Sequence, residues 1–122
     1  MKEVTIYLSE YKSPKSTVFT GRPQGEHVRR DMKLSLIDAN NDKVVFIIPE
    51  DTTSFNPSFY LGMLYESLAL LKEDKFNAKY TFKIDSNDPD QIESIQKNLD
   101  DGHRSALNTL NKNFGFKILS KS

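Results

Sequence analysis

KVVFIIP, residues 43–49, is an apolar run broken by no charge after its first lysine, and its reading decides the fold. Its length and β-branched content suit a strand. The lack of polar alternation predicts a central strand covered on both faces, as in parallel sheets flanked by helices. Upstream, EVTIYLS (residues 3–9) places Val4, Ile6 and Leu8 on one face and reads as a half-buried strand. Downstream, AKYTFKID (residues 78–85) alternates Tyr80, Phe82 and Ile84 and reads as a third principal strand. A short extended piece is expected at residues 17–19, inside a loop rich in Ser, Pro, Thr and Gly. FGFKILS (residues 114–120) suggests a last edge strand.

Helical spacing fills the intervals. From about Gln24, Val28, Met32, Leu36 and Ala39 form one stripe, with a stop at Asn40-Asn41. In FNPSFYLGMLYESLALL (residues 55–71), Asn56 can accept from the free amides of a first turn, and Pro57 fits the first helical position, where an N–H is not needed. The run that follows is apolar on most sides and predicts a largely buried or interface helix. Asp88 and Pro89 repeat the start signal with Gln91 three residues after the cap, and Ile92, Ile95, Leu99, Ala106 and Leu110 continue as a stripe. Gly102 lies on that stripe, so either the helix breaks near it or a neighbour approaches closely. The alternation of strands and helices predicts an α/β layer arrangement in a single domain over residues 1–122.

Composition narrows function. The 122 residues contain no cysteine, which excludes a thiol nucleophile, a thiolate metal site and a disulfide framework. His27 and His103 stand in no metal-ligand spacing and read as ordinary surface residues, so neither a metal nor another cofactor is expected. The apolar stretch at residues 4–8 is too short for a signal-peptide core or a membrane span, and the cytoplasm is the expected compartment. Formal net charge is zero, which argues against binding nucleic acid by bulk attraction. Charge is nonetheless uneven: residues 11–33 are basic, whereas residues 86–101 carry Asp88, Asp90, Glu93, Asp100 and Asp101 against Lys97.

No catalytic residue is assigned. Ser58 opens a helix after a strand and loop, but Pro57 and Phe59 flank it instead of the glycines of a nucleophile elbow. No phosphate-cradling glycine loop is present. Arg22, the amides around Gly25, Arg29 and Arg30 could form an anion-binding corner at a helix entrance, and the same residues also fit a solvated face in which Glu26 pairs with Arg30. The loop Asp51, Thr52, Thr53, Ser54 lies at the C-terminal end of the central strand, where open α/β sheets commonly bind their ligands.

The order TGRPQGEHVRRD, helix, KVVFIIPEDTTSFNPSFYLGMLYESL resembles the bacterial and phage STAS-like domains of unknown function, over about residues 15–75. The resemblance implies a sheet of four to five mostly parallel or mixed strands with about three helices packed on it, related to anti-sigma-factor antagonists and acting through protein contacts. The leading reading places a partner surface at Asp51, Thr52, Thr53, Ser54, Ser58, Phe59 and Tyr60, with Met63 and Tyr65 as further candidate contacts because aromatic residues and Met are enriched in interface cores, while Met63 fits the core equally well. In the better-known relatives a histidine-kinase-like ATPase phosphorylates a serine at this helix start. Here Pro57 falls at the acceptor position, leaving Ser54 and Ser58 as the candidates. The expected function is therefore a non-enzymatic regulatory module with a protein partner, and a homodimer is compatible with it. The alternatives are a sensor of a small anion or nucleotide, and a phage or mobile-element inhibitor docking through residues 88–101.

Overall fold

The computed structural model describes residues 2–13 and 15–120, with side chains described as far as Lys112. Three parallel strands, β1 (Glu3–Tyr7), β3 (Lys43–Ile48) and β5 (Tyr80–Ile84), form a sheet in the order β1-β3-β5, so the KVVFIIP strand is central. A second, two-stranded parallel ribbon pairs β2 (Val18–Phe19) with β4 (Ser54–Phe55). The helices are α1 (Arg22–Asp31), α2 (Leu34–Asp38), α3 (Pro57–Lys79) and α4 (Pro89–Ser120). The chain is thus α/β, with its strands divided between two sheets.

Among the described residues, only one face of the main sheet is covered. Ile6, Val44, Phe46, Ile48 and Tyr80 are buried in one core with Val28 of α1, Met63, Leu64 and Leu68 of α3, and Ile95 and Leu99 of α4. On the other face Thr5, Val45 and Thr81 are in register, as are Tyr7, Ile47 and Lys83. Val45 and Ile47 are half-buried there, while their edge-strand neighbours are exposed. The expectation of a strand covered on both faces is therefore corrected. An unbroken apolar run arises here because the middle strand is shielded by side chains on either side, without a second helical layer.

The first helical stripe is also divided. Lys33 takes a left-handed conformation (φ 54°) that turns the chain between α1 and α2. The turn resets the buried face, so Leu34 is fully buried and Leu36 is 66% exposed. Both proline start signals hold: Asn56 Oδ1 accepts from the Ser58 amide at 2.8 Å, and Asp88 Oδ1 accepts from the Asp90 amide at 3.0 Å. The final strand expected at residues 114–120 is a correction, since α4 runs through them. No turn residue pair separates Leu110 from Phe114, and three alternating apolar residues are too few to distinguish a strand from a helix; their side chains lie outside the described residues.

Gly102 is buried inside an unbroken α4 and lies against the Tyr60 ring: a Cβ there would stand 2.8 Å from Tyr60 Cβ. Below the ribbon, the rings of Phe19, Phe55 and Phe59 pack with centroids 5.1 to 5.5 Å apart and are fully buried or nearly so. Each such ring contributes roughly 1.5–3 kcal/mol of transfer free energy. This cluster is the foundation under the loop at the end of β3.

Candidate functional site

The junction from β3 to α3 is built by converging hydrogen bonds. Pro49 has no N–H to continue the ladder, and its carbonyl accepts from Thr52 N–H at 3.1 Å in a tight turn. Gln91 of α4 donates its side-chain amide to the carbonyls of Glu50 and Thr52, and Asn98 accepts from Phe55 N–H at 2.8 Å. From the ribbon side, Thr53 N–H donates to Thr17 C=O at 2.7 Å and Asn56 N–H to Phe19 C=O at 2.8 Å. Lys12 pairs with Asp51 at 3.1 Å. A loop with this many anchors is a rigid platform.

Of the residues predicted for a partner surface, Asp51 and Thr53 are exposed, and Ser54 and Ser58 are half-buried on that platform. Thr52, Phe59 and Tyr60 are corrections: all three are buried, as is Met63, so they support the surface from beneath and cannot contact a partner. Phe59 and Met63 lie where Gly25 and Gly62 bring the α1 and α3 backbones together, and Tyr60 packs on Gly102 of α4. Tyr65 is half-buried. Ser58 Oγ donates to Asn56 Oδ1 at 2.7 Å and accepts from Gly21 N–H at 3.1 Å, which ties the start of α3 to the start of α1. Its hydroxyl serves as a joint, and its two partners, the Asn56 side-chain oxygen and the Gly21 amide, are not bases.

The arginine corner is not assembled for an anion. Gly25 is buried against Phe59 and its amide donates to Gly21 C=O. Arg29 points inward, bonding Asp38 Oδ2 at 2.9 Å, Glu66 Oε2 at 3.0 Å, Ser67 Oγ at 2.7 Å and Met63 C=O at 3.1 Å. Arg22 and Arg30 remain exposed. The signal for this network lay in Asp38 and Ser67, polar residues set among apolar neighbours.

Comparison with known protein families, curated proteins and solved structures finds no match to the chain. Among the described residues no helix is long and apolar enough to cross a membrane, and no three His, Asp or Glu are grouped to hold a metal ion.

A second constellation was not visible in the sequence. Tyr60 hydroxyl meets His103 Nδ1 at 2.9 Å, and His103 Nε2 meets Glu73 Oε2 at 3.0 Å. The imidazole thus bridges the phenol of α3's first limb and the carboxylate of its second. His103 is therefore no ordinary surface residue. Glu73 reaches it because α3 is broken at Lys72, whose φ of 68° and ψ of 167° lie where side-chain-bearing residues rarely go. Such a conformation costs on the order of 1–3 kcal/mol and persists only where surrounding contacts impose it.

Burial holds the phenol of Tyr60 well above the usual tyrosine range, with the charges of Asp100 and Glu73 adding to the shift. Burial raises Tyr80 likewise, reinforced by its hydrogen bond to Asp38. The unfolded chain releases these protons near pH 10 while the folded chain keeps them, so their stabilisation is complete below pH 10 and is lost as pH rises above it. Folding stability should fall above about pH 10 by up to about 1.4 kcal/mol per pH unit for each phenol. Urea denaturation across pH 8 to 12 measures this; Tyr60→Phe should flatten the decline, and an unchanged slope would remove Tyr60 from the account.

Proposed function

We propose that this chain is a cytoplasmic, non-enzymatic regulatory module of the STAS-like kind, binding a protein partner through the platform formed by residues 51–58 and the neighbouring ribbon. The observation that carries the reading is the anchoring of this loop by α4, the ribbon and Lys12, which leaves Asp51 and Thr53 projecting from a fixed backbone. A preformed surface binds without the entropic cost of ordering a loop. The use of Ser58 as a structural joint supports binding over nucleophilic chemistry. A kinase partner of the histidine-kinase-like ATPase class fits the resemblance. Ser54 is then the better acceptor, because modifying Ser58 would break two hydrogen bonds at the start of α3.

The test begins with affinity capture from the native host and identification of the bound protein. Thr53→Arg places a long cation on the exposed platform without touching the core. It should weaken the purified complex at least about tenfold, the equivalent of 1.4 kcal/mol. Lys75→Glu, exposed on the second limb of α3, should change it less than about twofold. Equal binding by the wild type and Thr53→Arg, with the fold intact by circular dichroism, would remove the platform as the contact surface.

A further inference from the structure

We propose that the free edge of β1 pairs with the same strand of a second copy of this chain, antiparallel and centred on Thr5, in a weak twofold dimer that joins the two main sheets into one. This goes beyond the partner-binding reading and does not depend on it.

The backbone leaves this edge open. β1 ends the order β1-β3-β5, and among the described residues no other strand pairs with it. Lys43 N–H donates to Lys2 C=O, and the parallel register then runs without a bulge from Glu3 opposite Lys43 to Tyr7 opposite Ile47. Successive residues of a strand turn their N–H and C=O to opposite sides, so Val4 and Ile6 bond toward β3 while Glu3, Thr5 and Tyr7 turn outward. Such unpaired groups are a template for another strand.

The two edges of the main sheet are not alike. β5 carries the exposed Lys83 inside the strand, and its Thr81 and Phe82 line a cleft shared with Leu99 and His103 of α4. A charge within the strand and a helix beside it both block edge pairing. β1 has no such protection: its one charge, Glu3, is at the first position, and Val4, Thr5, Ile6 and Tyr7 are all types that favour strands. Pairing through β1 therefore closes at two copies, because β5 becomes both outer edges of the joined sheet.

The sequence of β1 matches itself about the twofold axis, and this selects a second copy over an unrelated peptide. Centring the pair on Thr5 sets Thr5 against Thr5 of the second copy, half-buried Val4 against Ile6, and Glu3 against Tyr7. Thr5 exchanges both backbone bonds with its counterpart, and Tyr7 N–H donates to Glu3 C=O in each direction. All three outward residues are then used, threonines face one another favourably across the ladder, and no like charges meet. Tyr7, 56% exposed in the single chain, comes to lie between Ile47 of its own sheet and Glu3 of the other.

Edge pairing is a small contact, in the class below about 1,200 Å² that weak assemblies use. Sedimentation velocity of the full chain from about 5 to 500 µM should show monomer passing to dimer, with half-association in the micromolar range. Thr5→Lys and Thr5→Glu, exposed changes that leave the core alone, should each raise the dissociation constant at least about tenfold, because each sets like charges face to face at the axis. An equimolar mixture of the two should recover the dimer, since the introduced lysine then faces the introduced glutamate. Lys83→Glu, on the opposite edge, should change association less than about twofold. A wild-type chain that stays monomeric to about 500 µM would overturn the proposal. So would a dimer that survives both Thr5 changes, a dimer lost in Lys83→Glu, or a mixture of the two variants, folded by circular dichroism, that stays monomeric.

Discussion

Gly62→Ala is expected to destabilise the domain by about 3 kcal/mol, at the upper end of the cost of overpacking, and Gly25→Ala by a similar amount. A Cβ on Gly62 would stand 2.2 Å from the carbonyl oxygen of Arg22, and one on Gly25 would stand 2.2 Å from that of Phe59 and 2.8 Å from the amide of Met63. These are backbone atoms of a facing helix, so no rotamer change relieves the contact. The helices must separate by about 1 Å to restore ordinary packing distances. That movement would stretch the Gly21 to Ser58 hydrogen bond and the reach of Arg29 across to Met63 and Ser67. Alanine is intrinsically favoured over glycine in a helix by roughly 1 kcal/mol, so the predicted sign requires the clash to exceed that gain. Gly102→Ala meets Tyr60 Cβ and Cγ at 2.8 Å, atoms held close to the α3 backbone, so it too should cost stability, though its contacts are longer than the 2.2 Å backbone contacts at Gly25 and Gly62. Chemical denaturation should therefore rank Gly62→Ala and Gly25→Ala below Gly102→Ala, with all three below the wild type. A Gly62→Ala protein within 1 kcal/mol of the wild type would mean that α1 and α3 do not cross as described.

Part of the fold could be read without coordinates, though not this crossing, since Gly62 stood in the sequence as one more small residue in an apolar run. The pairs Asn56-Pro57 and Asp88-Pro89 mark helix starts through the chemistry of their own side chains. Such signals are local and survive in any context. The two breaks at Lys33 and Lys72 are different: each has positive φ without a glycine to announce it. Tertiary contacts impose those conformations, and lysine has no intrinsic preference that would reveal them. For the same reason the helical stripe through Leu36 misled, because it assumed a straight helix across Lys33.

The candidate sites divide in the same manner. Residues 51–54 could be located because the C-terminal end of a central strand is a place fixed by topology. Which of their neighbours would be exposed could not be foreseen, since Phe59 and Tyr60 face inward only once α1 and α4 are in position. The meeting of Tyr60, His103 and Glu73 joins residues far apart in the chain, and its one sequence trace is Gly102, an expensive residue in a helix interior. The bare face of the main sheet left its trace in the alternation of the edge strands, which puts Thr5, Tyr7, Thr81 and Lys83 outside, and none in the central strand, because half-buried Val45 and Ile47 look the same in sequence as fully buried ones.

Asp38→Asn is expected to cost about 3–5 kcal/mol, the range for removing one partner of a buried ion pair. Asp38 and Arg29 are 5% and 8% exposed, so water cannot replace a lost partner. Asp38 Oδ2 accepts from Arg29 Nη2 at 2.9 Å and from Ser67 Oγ at 2.8 Å, while Oδ1 accepts from the Tyr80 hydroxyl. An amide has one acceptor oxygen in place of two and presents donors of its own, so at least one of these three donors is left facing another donor. Glu66, the second carboxylate on Arg29, is mostly exposed, and Glu66→Ala should change stability by less than about 1 kcal/mol. The two predictions separate desolvation from simple charge pairing, because both carboxylates contact the same guanidinium. Adding Arg29→Met to Asp38→Asn removes the stranded cation, and should recover at least about 1 kcal/mol relative to the sum of the single changes. Denaturation of the four proteins in that cycle gives the coupling directly, and strict additivity would show that the pair does not act as a unit. The residues belong to α1, α2, α3 and β5, so the network ties the helices on the covered face to the edge of the main sheet.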